Sequence, residues 1–206
     1  MKKKTDLTKK TKSKIPEKPK LKSISDIRRF FYKNEEPIYF VSATNFNLLG
    51  ADEWIKNFRF INYIDCYDEQ HPNVFAPKEE MPHDEFESIE DITAYLLDHK
   101  EVHDYVKNRG EVGKVLYLMF DQRVEKLAKQ LGLIVCFPSS KLREKLDNKI
   151  VTNRVAEKAG VPCVPNILSK VKSYKHLKEI SAHLGNDLVI QTAFGDSGHT
   201  TFFIFD

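Results

Sequence analysis

The residues best suited to chemistry lie near the C-terminal end. Leu188–Thr192 and Thr201–Phe205 are short apolar runs, and Phe194–Thr200 between them is a turn of small and polar residues. Two such runs around a glycine-bearing turn predict a β-hairpin. Gly195 and Gly198 allow left-handed backbone or the close approach of a ligand. Asp196, Ser197, His199 and Thr200 add polar groups beside them. A loop of this kind can lay its N–H groups over a polyphosphate. An ordinary hairpin turn has the same composition, so the loop alone does not decide.

Some forty residues upstream stands Leu146-Asp147-Asn148-Lys149. Lys149 offers a compact positive charge suited to phosphate; a solvated helix lysine is the plain alternative. Lys158–Pro165 reads KAGVPCVP. Gly160 there can end a helix, and the two Val-Pro pairs hold the following chain extended.

The elements that must position these residues are legible upstream. Ile38–Ala43, Phe58–Ile64, Lys114–Phe120 and Leu133–Phe137 are apolar runs of strand length. Strands apolar on both faces belong inside a covered, usually parallel, sheet. Between them fall helical patterns. One starts at Ser25, read as a cap, with Ile27, Phe30 and Phe31 on one side. Others occupy the region of Gly50–Asn57, Ser88–Asn108 with Ser88 and Asp91 as a capping pair, and Asp121–Leu131 closed by Gly132. This order predicts an open, Rossmann-like α/β sheet. No GxGxxG follows the first run, which argues against an NAD-type dehydrogenase or nucleotide-sugar enzyme. Residues 65–87, with three prolines, read as a long surface connection. His71 and His83 lie in it without metal-ligand spacing, and His99 and His103 form an i,i+4 pair lacking the Glu of the metalloprotease pattern.

Taken together, LDNK, the helix ending in AGVPxxP and the loop LVIQTAFGDSGHT resemble the start of an ATP-grasp fold, closest in flavour to biotin carboxylase-like members. Lys149 precedes Gly160 by eleven residues, and Gly195 follows it by thirty-five. The resemblance is specific over residues 138–206 and architectural over 37–137. It implies an α/β chain with a Rossmann-like pre-ATP-grasp parallel sheet, followed by the first, α+β subdomain of an incomplete ATP-grasp fold. It further implies that Lys149 touches the α/β-phosphates of ATP while the loop covers the β/γ-phosphates. Gln191 stands where the family usually carries a second phosphate-binding lysine; Gln keeps hydrogen bonding without the charge. His199 could return part of that charge when protonated. The family's Mg²⁺ ligands and adenine hinge are expected beyond residue 206.

Composition bounds the rest. The formal net charge is +3, yet residues 1–22 hold ten lysines against two acids, leaving the remaining 184 residues net acidic by five. The leader is expected to be a disordered basic tail. It has neither arginine nor interleaved aromatics, so no nucleic-acid partner is expected. No apolar stretch has the length of a membrane span or a secretory leader, so no membrane partner is expected. Three scattered cysteines, Cys66, Cys136 and Cys163, fit a reduced, cytoplasmic setting.

The expected organisation is a tail over 1–22, a Rossmann-like pre-ATP-grasp domain over 23–137 and a partial ATP-grasp subdomain over 138–206. The expected function is that of the N-terminal portion of a ligase. Such an enzyme activates a carboxylate or bicarbonate as an acyl phosphate with Mg·ATP and passes it to a nucleophile. Residues 1–206 alone are expected to lack a complete active site. The alternative is a non-catalytic α/β nucleotide-binding or scaffold module, which Gln191 favours.

Overall fold

Five segments pair in parallel into one sheet: β1 (Ile38–Ser42), β2 (Phe58–Asn62), β3 (Val74–Phe75), β4 (Lys114–Tyr117) and β5 (Ile134–Val135), in the order β3-β2-β1-β4-β5. A second, antiparallel sheet joins β6 (Leu188–Gln191) to β7 (Thr201–Ile204). The computed structural model describes residues 20–78, 82–110, 113–195 and 198–205. The expected tail, up to residue 19, lies outside the described residues.

All five residues of β1 are buried, as a central strand covered on both faces must be. On one face Tyr39, Val41, Ile61, Val115 and Tyr117 pack with α3 (Ile89–Asp98), α4 (Lys100–Lys107) and α5 (Gln122–Gln130) through Leu96, Leu97, Val102, Val106, Val124 and Ala128. The other face is thinner. Phe40, Phe58 and Phe60 form edge-to-face ring pairs there, covered in part by Ala51 and Ile55 at α2 (Ala51–Trp54). Before β1 runs α1 (Ile24–Tyr32), none of whose residues is fully buried. Among the described residues no helix is long and apolar enough to cross a membrane.

The structure departs from the sequence expectations at three places. The connection over 65–87 contains β3, so the sheet has five strands rather than four; two residues are too short for any periodicity to reveal. The helix expected over Ser88–Asn108 is two helices. His99 adopts an extended conformation, ends α3 and caps α4 by accepting the Glu101 N–H on Nδ1. That bend lets the buried pairs Leu96–Leu97 and Val102–Val106 both face the sheet. His103 Nε2 lies 2.8 Å from the Leu97 carbonyl, so this histidine pair serves backbone groups. The first helix is capped by Ser23, not Ser25: Ser23 Oγ accepts the Asp26 N–H and donates to the Asp26 carboxylate. Helix formation stops at Asn148, which divides the LDNK stretch between α6 (Ser140–Asp147) and α7 (Lys149–Lys158).

Candidate functional site

Lys149 is the first residue of α7, and its surroundings follow from the residue before it. Asn148 takes an extended backbone and turns its side-chain oxygen onto the N–H groups of Ile150 and Val151. This is the role for which Asn is favoured at a helix start. The Lys149 N–H donates to the Ala193 carbonyl at 2.8 Å, and the Thr152 N–H to the Asn148 carbonyl. The first turn of α7 therefore has its backbone donors engaged, and the positive group it can offer an anion is the Lys149 side chain. That ammonium donates to the Gly195 carbonyl at 2.5 Å. A neutral carbonyl is a weaker partner for an ammonium than a charged phosphate oxygen, so the contact can be exchanged for an anion.

The loop that receives Lys149 is shaped by its own residues. Gln191 pairs across the hairpin with Thr201 and donates from Nε2 to Thr201 Oγ1 at 3.2 Å. The hydroxyls of Thr192 and Thr200 lie 2.7 Å apart, and both reach the Phe194 carbonyl, at 2.5 and 3.0 Å. Thr200 has φ +63°, an uncommon conformation for a β-branched residue. Gly195 has φ +143°, and a Cβ there would stand 2.2 Å from Thr200 Oγ1 and 2.7 Å from the His199 carbonyl. Only glycine fits that position without displacing the turn.

Of the eight residues singled out from the sequence, Lys149 and Gly195 are in direct contact. Gln191, Gly198, His199 and Thr200 stand on or beside the same exposed turn, while Asp196 and Ser197 lie outside the described residues. Sequence reasoning missed Ala193 and Thr192. Ala193 acts through its backbone, which residue type does not announce. Thr192 could have been found as a β-branched hydroxyl flanking the turn opposite Thr200.

The 138–206 segment is also joined to the five-stranded sheet's helices. Glu125 on α5 accepts both the N–H and the hydroxyl of Ser140, at 3.0 and 2.5 Å. These bonds, side chain first, hold the Glu125 carboxyl below the usual carboxylate range. Arg143 on α6 pairs with Glu90 at 3.2 Å and donates to the Phe120 carbonyl. At residues 160–165, Gly160 has φ +73° and closes α7, after which the chain runs without regular structure through both Val-Pro pairs.

The fold is similar to that of a solved structure, the biotin carboxylase domain of 2-oxoglutarate carboxylase from Hydrogenobacter thermophilus, a domain dimer in complex with MgADP, ADP and bicarbonate. The likeness has a TM-score of 0.53 at 14% identity and covers 82% of this chain and 37% of that one. The fold is one that biotin carboxylase domains share. A second likeness, to the biotin carboxylase domain of a single-chain bacterial carboxylase, has a TM-score of 0.45 at 12% identity over 75% of this chain and 36% of that one. The chain thus spans little more than a third of the biotin carboxylase domains it matches. Neither a protein-family model nor a curated protein matches the sequence.

Proposed function

We propose that this chain forms the phosphate-holding part of an ATP site in an ATP-grasp ligase of the biotin carboxylase type. Residues 23–137 serve as its pre-ATP-grasp domain and 138–206 as its first ATP-binding subdomain. The observation that carries this reading is the seating of the Lys149 ammonium on the loop at Gly195. In the proposed complex Lys149 leaves the Gly195 carbonyl for phosphate oxygens of ATP. The turn from Gly195 to Thr200, with Gly198 and His199, lies over the outer phosphates, and Gln191 adds a neutral hydrogen bond from the strand. The fold likeness supports the reading, as does the MgADP in the Hydrogenobacter domain.

The chemistry that follows is an expectation for the whole protein. A carboxylate or bicarbonate oxygen attacks the γ-phosphorus, the bond to ADP breaks, and a nucleophile later displaces phosphate from the acyl phosphate. What this chain's own residues contribute is binding and orientation of the triphosphate. Magnesium accompanies ATP in such reactions and takes hard oxygen ligands. Among the described residues no group of three or more His, Cys, Asp or Glu could hold a metal ion, and none is assigned to one here.

Gln191 favours a second reading, a nucleotide-binding or scaffold module without turnover. Calorimetric titration with Mg·ATP of the chain and of Lys149→Ala tests the binding claim common to both. Saturable binding that the substitution weakens supports it; a folded chain that ignores ATP overturns it. ATP hydrolysis or acyl-phosphate formation by the longest natural form of the protein then separates ligase from module.

A further inference from the structure

The helix before the hairpin, α8 (Tyr174–Ser181), faces β6 and β7 across a cavity rather than closing on them. Ser173 starts the helix, its Oγ accepting the His176 N–H at 3.1 Å. Tyr174, Leu177, Lys178 and Ser181 then fall at i, i+3, i+4 and i+7, which is one stripe of a helix. A stripe with one leucine beside a lysine and a serine cannot fill the space an aliphatic stripe would fill. What it leaves is a cavity of about 290 Å³, bounded on the hairpin side by Leu188 and its cross-strand partner Ile204. Packed interiors hold few voids larger than one water; this one has room for about ten at about 30 Å³ each. It lies just below the usual span of ligand sites, about 300–1,000 Å³, and so suits a small molecule.

Leu177, Leu188 and Ile204 give the cavity an apolar floor, and Ser181 spends its proton internally, donating to the Leu177 carbonyl at 2.7 Å. Two polar side chains at the cavity are unengaged. Among the described residues the Lys178 ammonium has no carboxylate partner and rests over the Tyr174 ring, 5.2 Å from its centroid. The Asn186 amide, just before β6, has no hydrogen-bond partner among those residues. We propose that this cavity binds a small monocarboxylate with an apolar body, of the arylacetate kind. The body covers the aliphatic floor and frees its water. The carboxylate accepts from Lys178 and Asn186, and a bond from an ammonium to a carboxylate is stronger than one between neutral groups. A phosphate ester fits less well, because Lys178 is the one cation among the described lining residues. The site shares no residue with the proposed ATP site. Leu188–Ile204 is the ladder pair farthest from the turn, and Gln191–Thr201 the pair beside it.

Phenylacetate is the probe, and phenylacetamide is its neutral counterpart of nearly the same shape. The experiment follows backbone amide shifts of the isotope-labelled full chain during titration with each. Phenylacetate is expected to bind saturably, shifting amides of residues 174–188 and 204–205, and phenylacetamide to bind roughly tenfold more weakly. Lys178→Gln, at an exposed side chain, is expected to weaken phenylacetate roughly tenfold and so to erase its advantage over the amide. Lys175→Gln, on the same helix but outside the cavity lining, is expected to change neither affinity. Ala182→Trp, at the cavity wall, is expected to abolish binding of both; if that variant loses its native shift pattern, Lys178→Gln decides. The proposal is overturned by the absence of saturable shifts, by shifts scattered over the surface, or by equal affinity for acid and amide. It is overturned as well if Lys178→Gln keeps the preference for the acid, if Lys175→Gln costs as much, or if a folded Ala182→Trp still binds.

Discussion

The Lys149 ammonium and the Gly195 carbonyl, 46 residues apart in sequence, are hydrogen-bonded at 2.5 Å. The Lys149 N–H reinforces the junction through Ala193. One residue thus fastens the start of a helix to the turn of a hairpin by both its backbone and its side chain. The consequence is that charge and loop arrive together. In the proposed complex a phosphate would meet an ammonium already in place, held by a neutral carbonyl that an anion can outcompete.

Gly195→Ala is expected to damage this junction more than Gly198→Ala. Both glycines have positive φ, which costs an L-residue roughly 1–2 kcal/mol. At Gly198 nothing among the described residues lies within 4 Å of the added methyl, whereas at Gly195 it meets Thr200 Oγ1 and the His199 carbonyl. Urea denaturation should show a loss of about 1–2 kcal/mol for Gly198→Ala and a clearly larger one for Gly195→Ala. Equal losses would mean that the Thr200 contact does not constrain the turn.

Asn148→Ala removes the acceptor of two helix-start N–H groups. A loss of about 1 kcal/mol in stability is expected, with Asn148→Asp retaining most of it because Asp also caps. Since Lys149 is the next residue, the Ala variant should also bind Mg·ATP more weakly. An unaltered denaturation midpoint in the Ala variant would show that the cap is not what holds the start of α7.

How much of this was legible in the sequence depends on whether side chains or backbone carry it. The hairpin showed itself because two apolar runs flank a turn rich in glycine, and β1 because Ile38–Ala43 is a nearly continuous apolar run. Lys149 and the loop could be suspected as partners only through their resemblance to ATP-grasp sequences. Their contact runs through the carbonyls of Ala193 and Gly195, which every residue possesses and no pattern marks. The bend at His99 was hidden for the opposite reason. Its side chain accepts a backbone N–H and replaces helix continuity, while the apolar spacing on either side still reads as one helix.

Glu125 gives the molecule a pH-dependent joint between α5 and α6. Two hydrogen bonds from Ser140, the hydroxyl first, lower its pKa in the folded state. The folded chain therefore binds this proton less readily than the unfolded chain. Stability from the contact is fully present above the unfolded carboxyl's value and is lost as pH falls through the folded one. Glu125→Gln should accordingly be less stable than the parent near neutrality, and the gap should shrink as the solution is acidified below the ordinary glutamate range. Denaturant midpoints measured across that range check it; a gap that stays constant with pH would assign the loss to packing rather than to charge.

Gln191 offers a test in the direction of gain. It stands on β6, two residues before the carbonyl that holds the Lys149 backbone, and its side chain is exposed and engaged with Thr201. If the turn receives phosphates, the neutral amide forms hydrogen bonds there without offsetting their charge. An ammonium in its place adds a direct Coulomb attraction to phosphate that the neutral amide lacks. Gln191→Lys should therefore tighten Mg·ATP binding by roughly tenfold, with the gain reduced at high salt. Calorimetry on the parent, Gln191→Lys and the Lys149→Ala, Gln191→Lys double variant reads the outcome. A gain that persists without Lys149 would mean that the strand lysine finds phosphate on its own. A gain that vanishes with Lys149 would mean that the two cations hold the same triphosphate from two sides. No gain in either background would remove phosphate from this end of the hairpin.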